Sequence, residues 1–256
     1  MILLNVLFAM MFAHANDLCE RRFVLAFMDN EPSYFIENGV KKGHSYVLMT
    51  EVVKQLECRE TEIPGSYAAN KEKLLKNRVD IMGLAIRDAE MDKVAEFIPA
   101  YRVPRMLIVD KKVFNPAYKI EDYLKSSKIV FSTLIGAGFF MSDQERELLF
   151  KQKRLFEVPG PADIFANLIK GRTQATFSTP LFTHYYLSRK GQDHNFVILP
   201  DPNQAQDLGI YVSKARVTEK ERNKIKDIIK RMKSDGSLAR SAKDYVREED
   251  LKYYKD

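Results

Sequence analysis

Leu74-Leu75-Lys76-Asn77-Arg78-Val79-Asp80-Ile81-Met82-Gly83 runs from the end of a helix straight into a strand. Upstream, Ala69 to Asn77 reads as the helix; downstream, Val79 to Ile86 is a short apolar run of buried-strand character. The same alternation extends towards the N-terminus. Phe23-Val24-Leu25-Ala26-Phe27 is another apolar run, followed by the turn-rich Asp29-Asn30-Glu31-Pro32-Ser33. From Ser45, the residues Tyr46, Met49, Val52, Val53 and Leu56 recur at helical spacing. After Asp88, a short helix carries Met91, Val94 and Ala95 on one side. Phe97 to Val109 is extended, because Pro99 and Pro104 exclude a helix.

The alternation continues towards the C-terminus. Ile120 to Leu124 is a helical turn and Lys128 to Phe131 a strand, and Gly136-Ala137-Gly138 opens a helix running towards Phe150. Leu155 to Val158 is extended. Pro161 then starts a helix holding Ile164, Phe165, Leu168 and Ile169, which Gly171 stops. Thr173 to Phe177 reads as a strand, Leu181 to Ser188 as a helix and Phe196 to Leu199 as a strand. Thr218-Glu219-Lys220-Glu221 is a capping box, Ile225, Ile228, Ile229 and Met232 form the stripe behind it, and Asp235-Gly236 ends that helix. A last short helix carries Leu238, Ala242 and Tyr245.

With 256 residues, 45% hydrophobic and 30% charged, the chain suits two modest α/β lobes or one large domain rather than a disordered or fibrous protein. The net charge of +6 is spread among acidic residues, notably from Lys214 to Lys255, so it reads as a solvated surface and not as a nucleic-acid-binding arm. Met1 to Ala15 contains no Lys, Arg, Asp or Glu. Its run from Ile2 to Phe12, apolar except for Asn5, ends in Ala13-His14-Ala15, the pattern of a signal peptide cleaved after Ala15. The run is too short to span a bilayer as a helix, so the mature chain is not expected to be membrane-embedded. Asn16-Asp17-Leu18 is the wrong lead-in for a lipid anchor on Cys19. In an exported protein, Cys19 and Cys58 each precede an extended stretch. If those stretches are parallel neighbours, the two cysteines bridge; otherwise they remain separate buried thiols. Two Cys and four scattered His make no metal set, and no cofactor is implied.

Four stretches, in this order, resemble the family-3 bacterial extracellular solute-binding proteins, the polar amino-acid receptors of ABC importers. They are the strand followed by Glu31-Pro32-Ser33-Tyr34-Phe35 and Gly43; Leu74 to Gly83; Val94-Ala95-Glu96-Phe97-Ile98-Pro99-Ala100-Tyr101; and Leu208-Gly209-Ile210-Tyr211-Val212-Ser213-Lys214 with Ser234-Asp235-Gly236-Ser237-Leu238. The resemblance covers roughly Arg22 to Tyr245. It implies an α/β periplasmic-binding-protein-like type II fold, with two lobes joined by a two-crossing hinge. Lobe 1 is expected at residues 19–102 plus 208–256 and lobe 2 at 103–207, with the crossings near Tyr101 to Arg105 and Gln204 to Gly209. It further implies a periplasmic monomer that traps a small polar solute between its lobes and presents it to an ABC permease or membrane sensor.

A free amino acid needs an Arg fork for its carboxylate and a carboxylate for its ammonium. The family's Arg position falls here on Glu90 or Met91, its preceding hydroxyl on Ala85, and its acidic position on Ser178 or Thr179, so both charged clamps are missing. Arg87 leaves the same strand two residues after Ala85 and is either a substitute or a surface partner of Asp88 or Asp92. Tyr67 matches the aromatic wall of the family's cleft, with ordinary packing as the alternative. Asp29, Asn30 and Tyr34 occupy the first loop, where such residues also serve as turn formers. Ser132 and Thr133 end a second-lobe strand, and Gly136-Ala137-Gly138 either offers N–H groups to an anion or simply permits a turn. The default ligand is an amino acid or derivative. The missing clamps favour an orphan receptor of the same fold for an organic acid or cell-wall fragment. A third reading is a cyclohexadienyl-dehydratase-like enzyme with Glu90 or Glu31 as general acid, although no paired acid and base, nucleophile or metal set supports catalysis.

Overall fold

The computed structural model describes residue 19, residues 21–135 and residues 140–254, except the side chain of residue 202. The expected signal peptide and the Gly136-Ala137-Gly138 turn lie outside the described residues.

In chain order the first elements are β1 (Arg22–Met28), β2 (Phe35–Glu37), β3 (Val40–Lys42), α1 (His44–Gln55), β4 (Arg59–Gly65), α2 (Tyr67–Leu75), β5 (Ile81–Ile86) and α3 (Met91–Val94). They are followed by the long β6 (Ala95–Asp110), α4 (Ile120–Lys125), β7 (Phe131–Leu134), α5 (Asp143–Lys151), β8 (Leu155–Val158), α6 (Pro161–Ile169), β9 (Ala175–Ser178) and α7 (Pro180–Tyr186). The still longer β10 (Phe196–Ser213), α8 (Glu219–Ser234) and α9 (Ser237–Ala242) follow, with 3-10 segments at Ser188–Lys190, Asp193–Asn195 and Glu248–Tyr254.

One sheet of order β4-β1-β5-β10-β6-β9-β7-β8 runs through the molecule. β4, β1 and β5 are parallel at one end, and β9, β7 and β8 are parallel at the other. Between them β6 and β10 pair antiparallel along nearly their whole lengths, from Phe196 opposite Asp110 to Ser213 opposite Ala95. Their register shifts between Asp201 and Gln206 and again between Leu208 and Gly209. Among the described residues these two strands alone connect the two ends of the sheet, and the irregular stretch is where they cross. Gly209 fits there because a Cβ would lie 2.2 Å from the Ile98 carbonyl oxygen.

Several element ends differ from the sequence expectation. The strand read over Phe196 to Leu199 continues to Ser213, because the Pro200, Asp201 and Pro202 that interrupt its apolar pattern sit where the pair bends rather than where it stops. Helix α2 starts at Tyr67, not Ala69, since the Ser66 side chain accepts from the Ala69 N–H and caps it; it ends before Asn77, which takes φ 53°. The strands expected from Lys128 and Thr173 begin at Phe131 and Ala175, and the helix after the glycine turn begins at Asp143 behind a Ser142 capping box. The helix read from Leu181 to Ser188 runs from Pro180 to Tyr186. The last helix stops at Ala242, ahead of Tyr245.

Where the periodicity is strong, reading and structure coincide. Thr218 and Glu221 cap α8 reciprocally, and Ile225, Ile228, Ile229 and Met232 are buried. Each such side chain contributes roughly 2 kcal/mol of burial before conformational entropy is counted.

The N-terminal end of β1 is tied down tightly. β1 and β4 are parallel neighbours with Arg22 opposite Arg59, and Cys19 and Cys58 form a disulfide with Cα atoms 4.7 Å apart. Beside it, Asp80 is fully buried; it accepts from the Val24 N–H at 2.7 Å and from Arg216 Nε at 3.1 Å, and it pairs with Arg21.

Candidate functional site

The C-terminal ends of the strands lead to an opening between the two halves of the sheet. β1 ends at Met28 and turns: the Asn30 carbonyl accepts from the N–H groups of Ser33 at 2.8 Å and Tyr34 at 2.9 Å. Ser33 then receives the start of α1, its carbonyl accepting from the Ser45 N–H at 3.1 Å, while the Pro32 carbonyl accepts from the His44 N–H at 2.9 Å. This docking requires Gly43, which has φ 129° and whose Cβ would sit 2.2 Å from the Ser33 oxygen. The result fixes His44 at the first position of α1, 1% exposed.

Asn30, Ser33 and His44 line a cavity together with Met28 and Tyr67, and Leu84, Ala85 and Ile86 at the end of β5 close the same side. From the other half come Leu134 at the end of β7, Phe140, Pro161 at the start of α6, and Thr179, Leu181 and Phe182 around the start of α7. Leu208 reaches it from the crossing strand. The space measures about 690 Å³, counting the part open to solvent. Strand C-termini and helix N-termini thus converge on a gap between two halves, the usual location of a ligand site in open α/β sheets. The halves also touch at the rim: the Tyr186 hydroxyl donates to the Glu31 carbonyl at 2.5 Å, and the Phe35 and Tyr185 rings lie 6.3 Å apart.

Among the described residues, no charged side chain lines the cavity. Burial pushes His44 down to about 3, so its imidazole is neutral. Burial, with the nearby Asp88 carboxylate adding to it, pushes Tyr67 up to about 12. Asp88 and Glu90 are occupied by Lys71 at 2.7 and 2.9 Å. The buried guanidiniums lie elsewhere and are satisfied. Arg105 pairs with Glu145 and Asp201, both at 2.8 Å, and stacks over Phe177; Arg154 donates to the Ser126 and Ile129 carbonyls at 2.7 and 2.8 Å.

Of the residues singled out in the sequence, Asn30, Tyr67 and Thr179 line the cavity. Thr179 also caps α7 by accepting from the Phe182 N–H. Asp29 is exposed. Tyr34 stacks on Phe27 and donates to Glu62 at 3.0 Å. Arg87 is not among the lining residues; it is exposed and pairs with Asp92 at 2.8 Å, the surface alternative. Ser132 donates to Thr173 at 3.0 Å inside the second half; Thr133 and Ser178 are buried outside the lining. Glu31 is exposed, and Glu90 is held by Lys71. Sequence reading missed His44, Ser33 and the apolar wall of Leu84, Leu134, Phe182 and Leu208. Only His44 carried a usable signal, its place directly after the glycine that precedes the first helix.

Two α/β halves on a shared pair of crossing strands, with a cavity between them, define a type II periplasmic-binding-protein-like receptor fold. Residues 24–248 match the family of bacterial extracellular solute-binding proteins, family 3, and the chain belongs to it. No curated protein matches it. Among solved structures, it is similar to a binding component of an ABC transporter from Wolinella succinogenes complexed with lysine: TM-score 0.74 and 19% identity, over 90% of this chain and 98% of that one. It is also similar to a histidine kinase sensor domain resembling periplasmic binding proteins, with TM-score 0.69 and 18% identity over 88% and 96%. A third similar structure is an ancestral amino-acid-binding protein, a precursor of cyclohexadienyl dehydratase, with TM-score 0.69 and 18% identity over 88% and 95%. At these identities the likeness concerns the fold. Among the described residues, no helix is long and apolar enough to cross a membrane.

Proposed function

We propose that the chain is an exported, periplasmic receptor that encloses a small solute between two lobes, residues 19–102 with 208–256 and residues 103–207. It acts as a monomer after cleavage behind Ala15, and its closed state is what an ABC permease or membrane sensor reads. The observation that carries this is the cavity whose walls come from both halves and from Leu208 on the crossing strand. With two strands crossing among the described residues, the halves can swing as rigid bodies, and a ligand that contacts both favours the closed arrangement by its extra contacts there. Binding without catalysis is the reading the residues support, since neither Glu31 nor Glu90 lines the cavity.

The orphan-receptor reading is favoured over an amino-acid receptor by one observation: among the described residues, no charged side chain lines the cavity. A thermal-shift screen of the mature protein tests the function. A true ligand at one hundred times its dissociation constant adds roughly 2.7 kcal/mol of stability. Arg87→Ala leaves that shift unchanged if Arg87 only pairs with Asp92 and abolishes it if Arg87 anchors the ligand. Turnover of a cyclohexadienyl substrate would refute a pure receptor.

A further inference from the structure

Two buried acceptors in the cavity have no partner, Asn30 Oδ1 and His44 Nδ1. For His44 the hydrogen-bond chain behind the ring favours one assignment of its proton. The Ser241 hydroxyl has one proton and gives it to the Leu238 carbonyl at 2.7 Å. Ser241 Oγ is then free to accept from the Tyr101 hydroxyl, 3.0 Å away, and the Leu238 carbonyl offers that hydroxyl a second acceptor at 3.4 Å. With its own proton committed, the Tyr101 oxygen accepts from His44 Nε2 at 2.8 Å. A neutral imidazole carries a single N–H, so Nδ1 is left as a bare lone pair. The Tyr101, Tyr245 and Tyr254 rings, at 4.8, 6.4 and 5.7 Å from the imidazole, hold that orientation.

The rest of the lining is Met, Leu, Ile, Ala, Phe and Pro, with Ser33, Tyr67 and Thr179 as further uncharged polar members. Residues 136–139, which the sequence places between Ile135 and Phe140, contain no ionisable side chain. A zwitterion enclosed here would leave both of its charges without counter-charges, a cost of several kcal/mol for each ion. An uncharged molecule with an apolar body avoids that cost, and an N–H or O–H on it satisfies an acceptor that is otherwise buried unpaired.

We propose that the cleft selects an uncharged, largely apolar ligand that donates a hydrogen bond to His44 Nδ1, and that it discriminates against free α-amino acids. This rests on the receptor reading above and names its ligand class. Asn30 Oδ1 is the second acceptor such a ligand can meet.

The test uses the mature protein and matched probes: indole, phenol and benzamide; their counterparts without a donor, 1-methylindole, anisole and N,N-dimethylbenzamide; and the twenty amino acids. Titration calorimetry should show that at least one donor probe binds and that its methylated counterpart binds about tenfold more weakly or worse, the size expected for one buried hydrogen bond left unmade. Tryptophan, which shares the indole ring but adds the zwitterion, should bind more weakly than indole. His44→Phe keeps an aromatic ring at the position and should erase the preference for the donor probe. Should that variant fail to fold, the imidazole ¹⁵N spectrum of the unaltered protein decides the tautomer: His44 protonated on Nδ1 overturns the proposal. Equal binding of each pair also overturns it. An amino acid binding more tightly than every neutral probe overturns the ligand class and leaves the receptor standing. If neither neutral probes nor amino acids bind, the ligand class and the receptor reading both fall.

Discussion

The two ends of β1 differ in how they treat buried polar groups. At the N-terminal end the buried charge has its partners: Asp80 accepts from the Val24 N–H and pairs with Arg21 and Arg216, and the Cys19–Cys58 disulfide holds the neighbouring strand. At the C-terminal end, past Met28, the buried His44 and the half-buried Asn30 each keep one enclosed side-chain atom, Nδ1 and Oδ1, without a partner. A buried polar group with partners holds the fold together; one without them costs stability until something else supplies the donor. The contrast separates the end that stabilises the protein from the end that serves a ligand.

The largest effect should come from breaking the satisfied end. Asp80→Ala leaves the Val24 N–H unpaired and two arginines without their carboxylate, and because both arginines are partly exposed it should cost about 4 kcal/mol rather than more. Denaturant unfolding measures this, and a loss below about 1 kcal/mol would show that the cluster is decorative. Removing the disulfide with Cys19→Ser and Cys58→Ser releases a loop with a sequence separation of 39 and should cost about 3 kcal/mol. Chemical unfolding with and without reductant gives the same quantity without substitution.

The unsatisfied end has its own signature in pH. His44 is neutral in the folded protein down to about pH 3, whereas in the unfolded chain it takes up a proton below about 6.5. The unfolded state therefore binds more protons in this window, and stability falls as pH falls through it. Between pH 7 and 5 the loss from this group is about 2 kcal/mol, and burial of His184 acts in the same direction. His44→Phe should flatten the slope, and an unaltered slope would assign it to other groups. The smallest effect is expected at the start of α8: Thr218→Ala removes one cap of that helix and should cost about 1 kcal/mol with no change in ligand affinity.

The alternation of strands and helices was legible because the apolar stripes of α1, α6 and α8 repeat cleanly, and α6 and α8 carry a Pro start, a capping box and Gly stops at their ends. The long β10 was not, since Pro200-Asp201-Pro202 looks like a loop unless the antiparallel partner β6 is known. The site divides in the same way. Asn30, Tyr67 and Thr179 were identifiable because they sit at element boundaries next to recognisable motifs. Leu84, Leu134, Phe182 and Leu208 were not, because an apolar side chain facing a ligand and one facing the core look alike in a sequence. His44 was passed over because its significance lies in an atom without a partner, which only the packing of Tyr101 and Ser241 behind it reveals.

The most direct test of two halves closing on an uncharged guest is the distance between spin labels at Asn38 in the first half and Lys190 in the second, placed through cysteine substitutions with the native disulfide intact. With saturating indole, or whichever donor probe binds best, the distance distribution should narrow and move towards its shorter component, while glycine, lysine and glutamate leave it as it is. A distribution that does not change with any of these compounds, or that shortens only with an amino acid, would contradict the account.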